Sequence, residues 1–270
     1  MNGSILFGLA ALLTLLPAAL YRPRRDAQGA AEYGLQFWLL LGVATLGPVA
    51  LEVAAGEGIW RTGFSTTLWT IIASTMLVYF LVSLFSVSAR QLRPLLLPYL
   101  LLLALIALLW SSVPGERSLG EGMTTWLQIH IGVSVVTYAL ITVAATAGFS
   151  VWLKERALRK RDTSQWIAAL PAIADGERLQ LRLLIVAELV LAAGLLSGAA
   201  TQFVESGSMI VFDHKTVLSV AAFLVLGILL LLQQSSGLRG RRAAQLVLIS
   251  YLLMTLAFPG VKFVTDVILS

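Results

Sequence analysis

Apolar residues in this chain gather into eight runs, at roughly 4–20, 35–53, 64–87, 94–112, 124–152, 182–203, 215–233 and 243–262, parted by shorter polar stretches. Wound as helix, runs of about 20 residues match the hydrocarbon thickness of a bilayer. The pattern predicts an all-α, polytopic integral membrane helix bundle of about eight transmembrane helices. It leaves no soluble domain large enough to do chemistry alone. Residues 1–270 read as one membrane domain, with a four-helix part over 1–115 and a second part over 124–270. The first run begins almost at Met1, yet it lacks a basic leader and is followed by Arg22, Arg24 and Arg25. It therefore reads as a retained helix, not a signal peptide.

Composition strengthens this picture. The chain is 58% hydrophobic and 12% charged, about half the charged share of a soluble domain. Cysteine is absent, which excludes disulfides, thiolate ligands and thiol redox chemistry. The net charge of +5 would suit nucleic acid, but its placement argues otherwise. Of the 19 basic residues, all but Arg61, Arg117, Lys215 and Lys262 fall in the odd-numbered connections. The positive-inside rule makes that side cytoplasmic and puts both termini outside. Nucleic acid drops out as a partner, and the lipid bilayer takes its place. Trp60, Trp110 and Trp126 fall near predicted outer helix ends, and Trp38, Trp152 and Trp166 near inner ones, the depths that indoles favour.

Internal repeats of the kind used by transporters are not evident. Pro48 and Pro98 are candidate kinks. The longest inner connection, about 154–181, is charged and then reads Gln-Trp-Ile-Ala-Ala-Leu-Pro. It is either a short amphipathic surface helix held by anionic lipid or a solvated connector. The outer stretch 204–214 turns at Gly207, and Asp213 is placed to N-cap the seventh helix. Residues 259–270 read as a short outer tail packed back on the bundle.

Candidate chemistry is sparse. His130 lies about one turn inside the fifth helix and His214 opens the seventh, both at outer ends. Two histidines on separate helices at one depth can ligate a metal or a haem iron from opposite faces. The plain alternative is a pair of polar residues at headgroup level. They are too few for a closed zinc site. Glu188 reads as the one charge well inside an apolar run, so it is either a functional carboxyl or a neutral one bonded to a neighbouring helix. Gly194 and Gly198 have GxxxG spacing, read as packing within the chain more than as a dimer face. Phosphate loops, nucleophile elbows and His-Glu-x-x-His are missing, so no catalytic residue is assigned and self-contained catalysis is not expected.

Three stretches carry a family resemblance. Trp126-Leu-Gln-Ile-His130, followed by Ser134 and Tyr138, resembles the histidine-bearing helix of the cytochrome c assembly protein family. This group includes the haem lyase and haem-exporter-C types. Phe212-Asp213-His214-Lys215-Thr216 stands where the family has a tryptophan-rich loop ending Trp-Asp-Pro-Lys-Glu, and Gly237-Leu-Arg-Gly-Arg-Arg-Ala243 is similar to its Gly-Trp-Arg-Gly-Arg-Arg connector. The chain is most similar to a branch with an Asp-His-Lys-Thr motif, a Leu-Pro…Glu-Arg stretch (here Leu170, Pro171, Glu177, Arg178) and a Lys-Phe-Val tail (Lys262 to Val264). It departs from the family in two places. The loop before Asp213 contains no tryptophan, and Leu231 to Gln234 occupy the position of a second flanking histidine.

The resemblance implies haem b bound at the outer face of a bacterial inner membrane and delivered toward c-type cytochromes. Other assembly proteins or apocytochrome c would be the partners. His130 and His214 become candidate ligands of the haem iron, with Lys215 and Arg117 as propionate partners. Phe212 and Trp126 would pack on the porphyrin, and Asp213 would orient His214. Two other readings stand beside it. One is a membrane scaffold or chaperone subunit without haem, and the other a small-solute permease coupled through Glu188.

Overall fold

A computed structural model describes residues 2–25, 31–56, 60–111, 117–119, 125–206, 214–238 and 240–268. Among them the chain is a multi-pass, all-helical membrane bundle. Its main helices are α1 (Asn2–Leu20), α2 (Leu35–Gly56), α3 (Phe64–Phe85), α5 (Arg93–Leu109), α6 (Thr125–Lys160), α8 (Ile173–Ser206), α9 (His214–Ser235) and α10 (Gly240–Thr255). The short helices α4 (Val87–Arg90), α7 (Gln165–Ala168) and α11 (Val261–Phe263) complete the series. Among the described residues, extended structure is limited to two small ladders. Arg24–Arg25 pairs with Ala31–Glu32, and Trp60–Thr62 pairs with Arg117–Leu119.

Six of the helices are long and apolar enough to cross a membrane, and two shorter apolar ones, Ile5–Leu20 and Arg93–Leu109, accompany them. These fall on the eight apolar runs. The boundaries differ where charge begins. The connection expected over 154–181 is mostly helix, because α6 continues to Lys160 and α8 starts at Ile173. Lys, Arg, Glu and Ala are good helix formers, so a helix does not stop where hydropathy does. At 36 residues α6 is about 54 Å long, well beyond a hydrocarbon core of about 30 Å. One-turn α7 is what remains of the proposed surface helix, with Ile167 and Leu170 packed on Ala157 and Leu153.

The C-terminal segment also differs from expectation. It continues α10 through a π-turn at Leu256–Gly260, then α11 and a second π segment, Val264–Ile268. Pro259 lies inside the first π-turn. It has no N–H to give and its ring crowds the preceding turn, which the wider π geometry relieves. Phe263 then packs on Phe64 and Trp110, with ring centroids 5.2 and 6.2 Å away.

A single cluster of buried apolar residues takes in every long helix, from Leu15, Phe37 and Ile71 through Leu96 and Ala144 to Leu184, Leu226 and Val247. Lipid is as apolar as these side chains, so close packing and internal hydrogen bonds hold such a bundle together. The buried face of α6 is rich in small residues, Ala139, Ala144, Ala147, Gly148 and Ser150, and α8 and α10 pack against it. Buried hydroxyls bond back one turn, as Thr142 does to the Tyr138 carbonyl at 2.7 Å.

Two arginines that mark orientation also finish helices. Arg93, only 6% exposed, donates to the Ala18 and Ala19 carbonyls at the end of α1. Arg90 donates to the Ser83 and Leu84 carbonyls at the end of α3 and lies 5.0 Å from the Trp38 ring centre. Both ends have carbonyls without helical partners, and a guanidinium satisfies them where water is scarce.

Three phenols join the halves. Tyr251 on α10 shares hydroxyl contacts with Tyr99 on α5 and, at 3.1 Å, with Tyr138 on α6, which also lies 3.0 Å from the Thr255 hydroxyl. Replacing Tyr251 by Phe removes the partner that Tyr99 and Tyr138 share. It is expected to destabilise by about 0.5–2 kcal/mol in an SDS unfolding titration.

Candidate functional site

α6 and α8 form a long antiparallel pair whose register is set by glycines. At one end Gly148 faces Gln180 and Gly176 faces Val151. At the other, Gly194 faces Val133 and Gly198 faces the His130 ring. The GxxxG spacing thus packs within the chain. A Cβ on Gly198 would stand 2.9 Å from His130 Cε1, closer than such contacts allow, so any larger residue there would force the ring to shift.

His130 is half-buried. Its Nδ1 lies 3.0 Å from the Gly194 carbonyl and 3.2 Å from Ser197 Oγ, which itself donates to the same carbonyl at 3.0 Å. A carbonyl only accepts, so Nδ1 holds the proton and donates. The lone pair is then on Nε2, which makes no hydrogen bond among the described residues. This is the tautomer of a histidine that ligates through Nε2.

The backbone register also places His214. Glu188 on α8 faces Gly227 on α9, where a Cβ would lie 3.1 Å from its Oε1. From Gly227 back to His214 is about 20 Å along α9, and from Glu188 on to Gly198 about 15 Å along α8. The His214 backbone therefore lies at the same end as His130, about one helical turn further out. His214 and Lys215 begin α9, and Arg117 is fixed by its pairing with Thr62. The side chains of these three lie outside the described residues, as do Phe212 and Asp213 entirely, including the expected cap. Trp126, on the first turn of α6, is 49% exposed at this end.

Sequence reasoning missed several groups. Ser197 carries no motif, although a serine four residues from Thr201 marks a polar strip on α8. Lys262 was assigned to the tail alone. Tyr138 and Thr255 touch, and stepping two turns outward from each brings Lys262 to the depth of His130, with Asp266 within 4.0 Å of its ammonium. Glu188 is not the only carboxyl inside a span, because Glu52 on α2 accepts from Thr70 Oγ1 at 2.9 Å. The bond from Glu188 to a neighbouring helix is not seen at Oε2, which is buried without a partner.

The geometry defines a multi-pass membrane protein with a glycine-seated histidine near one end of its longest helix pair. The chain belongs to the cytochrome c assembly protein family, whose profile matches residues 60–269 and so takes in α3 and α5 as well as the helices that carry the motifs. Its role lies in cytochrome c biogenesis. It is 47% identical to an Azospirillum brasilense protein named as an uncharacterized 28.8 kDa protein in the nifR3-like 5' region, over 270 residues and the whole of both chains. The cytochrome c biogenesis protein CcsA of Parasynechococcus marenigrum (strain WH8102) is 28% identical over 171 residues, 56% of this chain and 54% of that one.

Proposed function

We propose that this chain binds haem b at its histidine end, on the outer face of a bacterial inner membrane, and hands it on in cytochrome c assembly. The observation that carries the reading is the 3.0 Å contact of His130 Nδ1 with the Gly194 carbonyl, which calls for a proton on Nδ1 and so leaves the Nε2 lone pair to ligate. In this reading His130 and His214 would hold the haem iron. Lys215 and Arg117 are the cations offered to propionates, while Lys262 is paired with Asp266. Trp126 and Phe212 cover the porphyrin, and Asp213 caps α9 and orients His214. Bound haem supplies an iron centre and a porphyrin to be delivered, while the chain's own residues hold, orient and shield it. The basic end faces the cytoplasm, both termini face outward, and apocytochrome c or other assembly proteins meet the histidine end.

Hemin titration of the purified protein in mild detergent tests this. The wild-type chain is expected to take up hemin at one site, and His130→Ala to lose about 100-fold or more in affinity, a weakening of about 2.7 kcal/mol. A strain whose own copy is replaced by His130→Ala is expected to lose haem-stained c-type cytochromes. Equal hemin uptake by the wild type and the His130→Ala, His214→Ala double variant would remove the assignment.

A further inference from the structure

We propose that the Gly194–Ser197–Gly198 face of α8 is a purpose-built seat that fixes the His130 imidazole in one tautomer and one orientation. The proposal rests on the haem reading above and adds the residues that make the histidine a ligand. Three observations converge on that face. Gly194 and Gly198 leave the surface bare, and the ring lies so close to Gly198 that one methyl group would displace it. The Gly194 carbonyl and the Ser197 hydroxyl both meet the same ring nitrogen, at 3.0 and 3.2 Å. Ser197 is itself buried and tied to that carbonyl, so its hydroxyl cannot swing away without breaking its own bond.

Close helix approach accounts for Gly194 against Val133, but it does not ask for a polar ring in the seam. Two glycines weaken a helix by about 1 kcal/mol each relative to alanine, and a leucine on α6 would fill the space against α8. What the seat adds is direction. It holds Nδ1 on the Gly194 carbonyl and so leaves the lone pair on Nε2, on the ring edge beside Gly198. Ser197, Gly194 and Gly198 are therefore positioning residues. They act on a ligand through His130 and do not themselves touch it.

The seat is read by imidazole rescue. His130→Gly empties it, and added imidazole is expected to restore the low-spin spectrum of the hemin-loaded protein by binding where the side chain was. His130→Gly with Gly198→Leu fills the seat and is expected to abolish rescue. His130→Gly with Ser197→Ala is expected to need about tenfold more imidazole, and Ser197→Thr, which keeps the hydroxyl, to recover most of that loss. Unchanged size-exclusion profiles show that the variants fold. Equal rescue in the presence of Gly198→Leu would overturn the seat and leave the haem reading standing. A wild-type chain that takes up no hemin would overturn the haem reading and the seat with it.

Discussion

Replacing Arg93 by leucine is expected to lower the unfolding free energy by about 2–4 kcal/mol. The guanidinium is buried and donates to the Ala18 carbonyl at 2.9 Å and the Ala19 carbonyl at 3.4 Å, and it lies 5.5 Å from the Tyr21 ring centre. Leucine fills much of the volume but strands both carbonyls in a region with little water to replace the donor. Lysine keeps a charge and one donor direction, so Arg93→Lys is expected to lose roughly half as much. An SDS unfolding titration followed by tryptophan fluorescence reads the series. A leucine variant as stable as wild type would mean that water already satisfies the end of α1.

Gly240→Ala is the second large effect, expected at about 2–3 kcal/mol. Gly240 has φ of +64°, where a side chain costs about 1–2 kcal/mol. Its N–H donates to Glu177 Oε1 at 2.7 Å, and the Glu155 carboxylate occupies the place a Cβ would take. Glu155 on α6 and Glu177 on α8 thereby clasp the turn that begins α10. Gly237 is the internal control. It has φ of +62° but nothing within 4 Å of a notional Cβ, so Gly237→Ala is expected to show the conformational cost alone. The difference between the two variants measures the clasp. Equal losses would show that the carboxylates contribute nothing to it.

Hydropathy carried most of the fold, because each span must be apolar along its whole length and the runs are well separated. It failed where the physics changes. Lys154, Arg156, Arg159 and Lys160 ended an apolar run but not α6, since hydropathy measures transfer and helix formation does not depend on it. The π-turn at Leu256–Gly260 follows from Pro259 within a packed helix, which no periodicity shows. Arg90 and Arg93 served as orientation markers, while their second role depends on which carbonyls the bundle brings to them.

The site was legible in pieces. His130 and the Gly194/Gly198 pair were both visible in the sequence, about 64 positions apart, with nothing local to join them. Only the α6–α8 register, in which one index falls as the other rises, sets the imidazole on the glycines. Tyr138 was visible through its motif, but its partner Tyr251 carries no signal of its own. Glu52 falls near the end of the 35–53 run, and its bond to Thr70 becomes apparent once α2 lies beside α3.

The measurement that bears most directly on the central claim is an absorption spectrum of the protein isolated in mild detergent, first oxidised and then reduced. A Soret band with sharp α and β bands on reduction is expected, from low-spin haem held through His130, and it should vanish in His130→Ala. A colourless wild-type protein that also fails to take up added hemin would contradict the account and make the His130 seat a packing feature of α6 and α8.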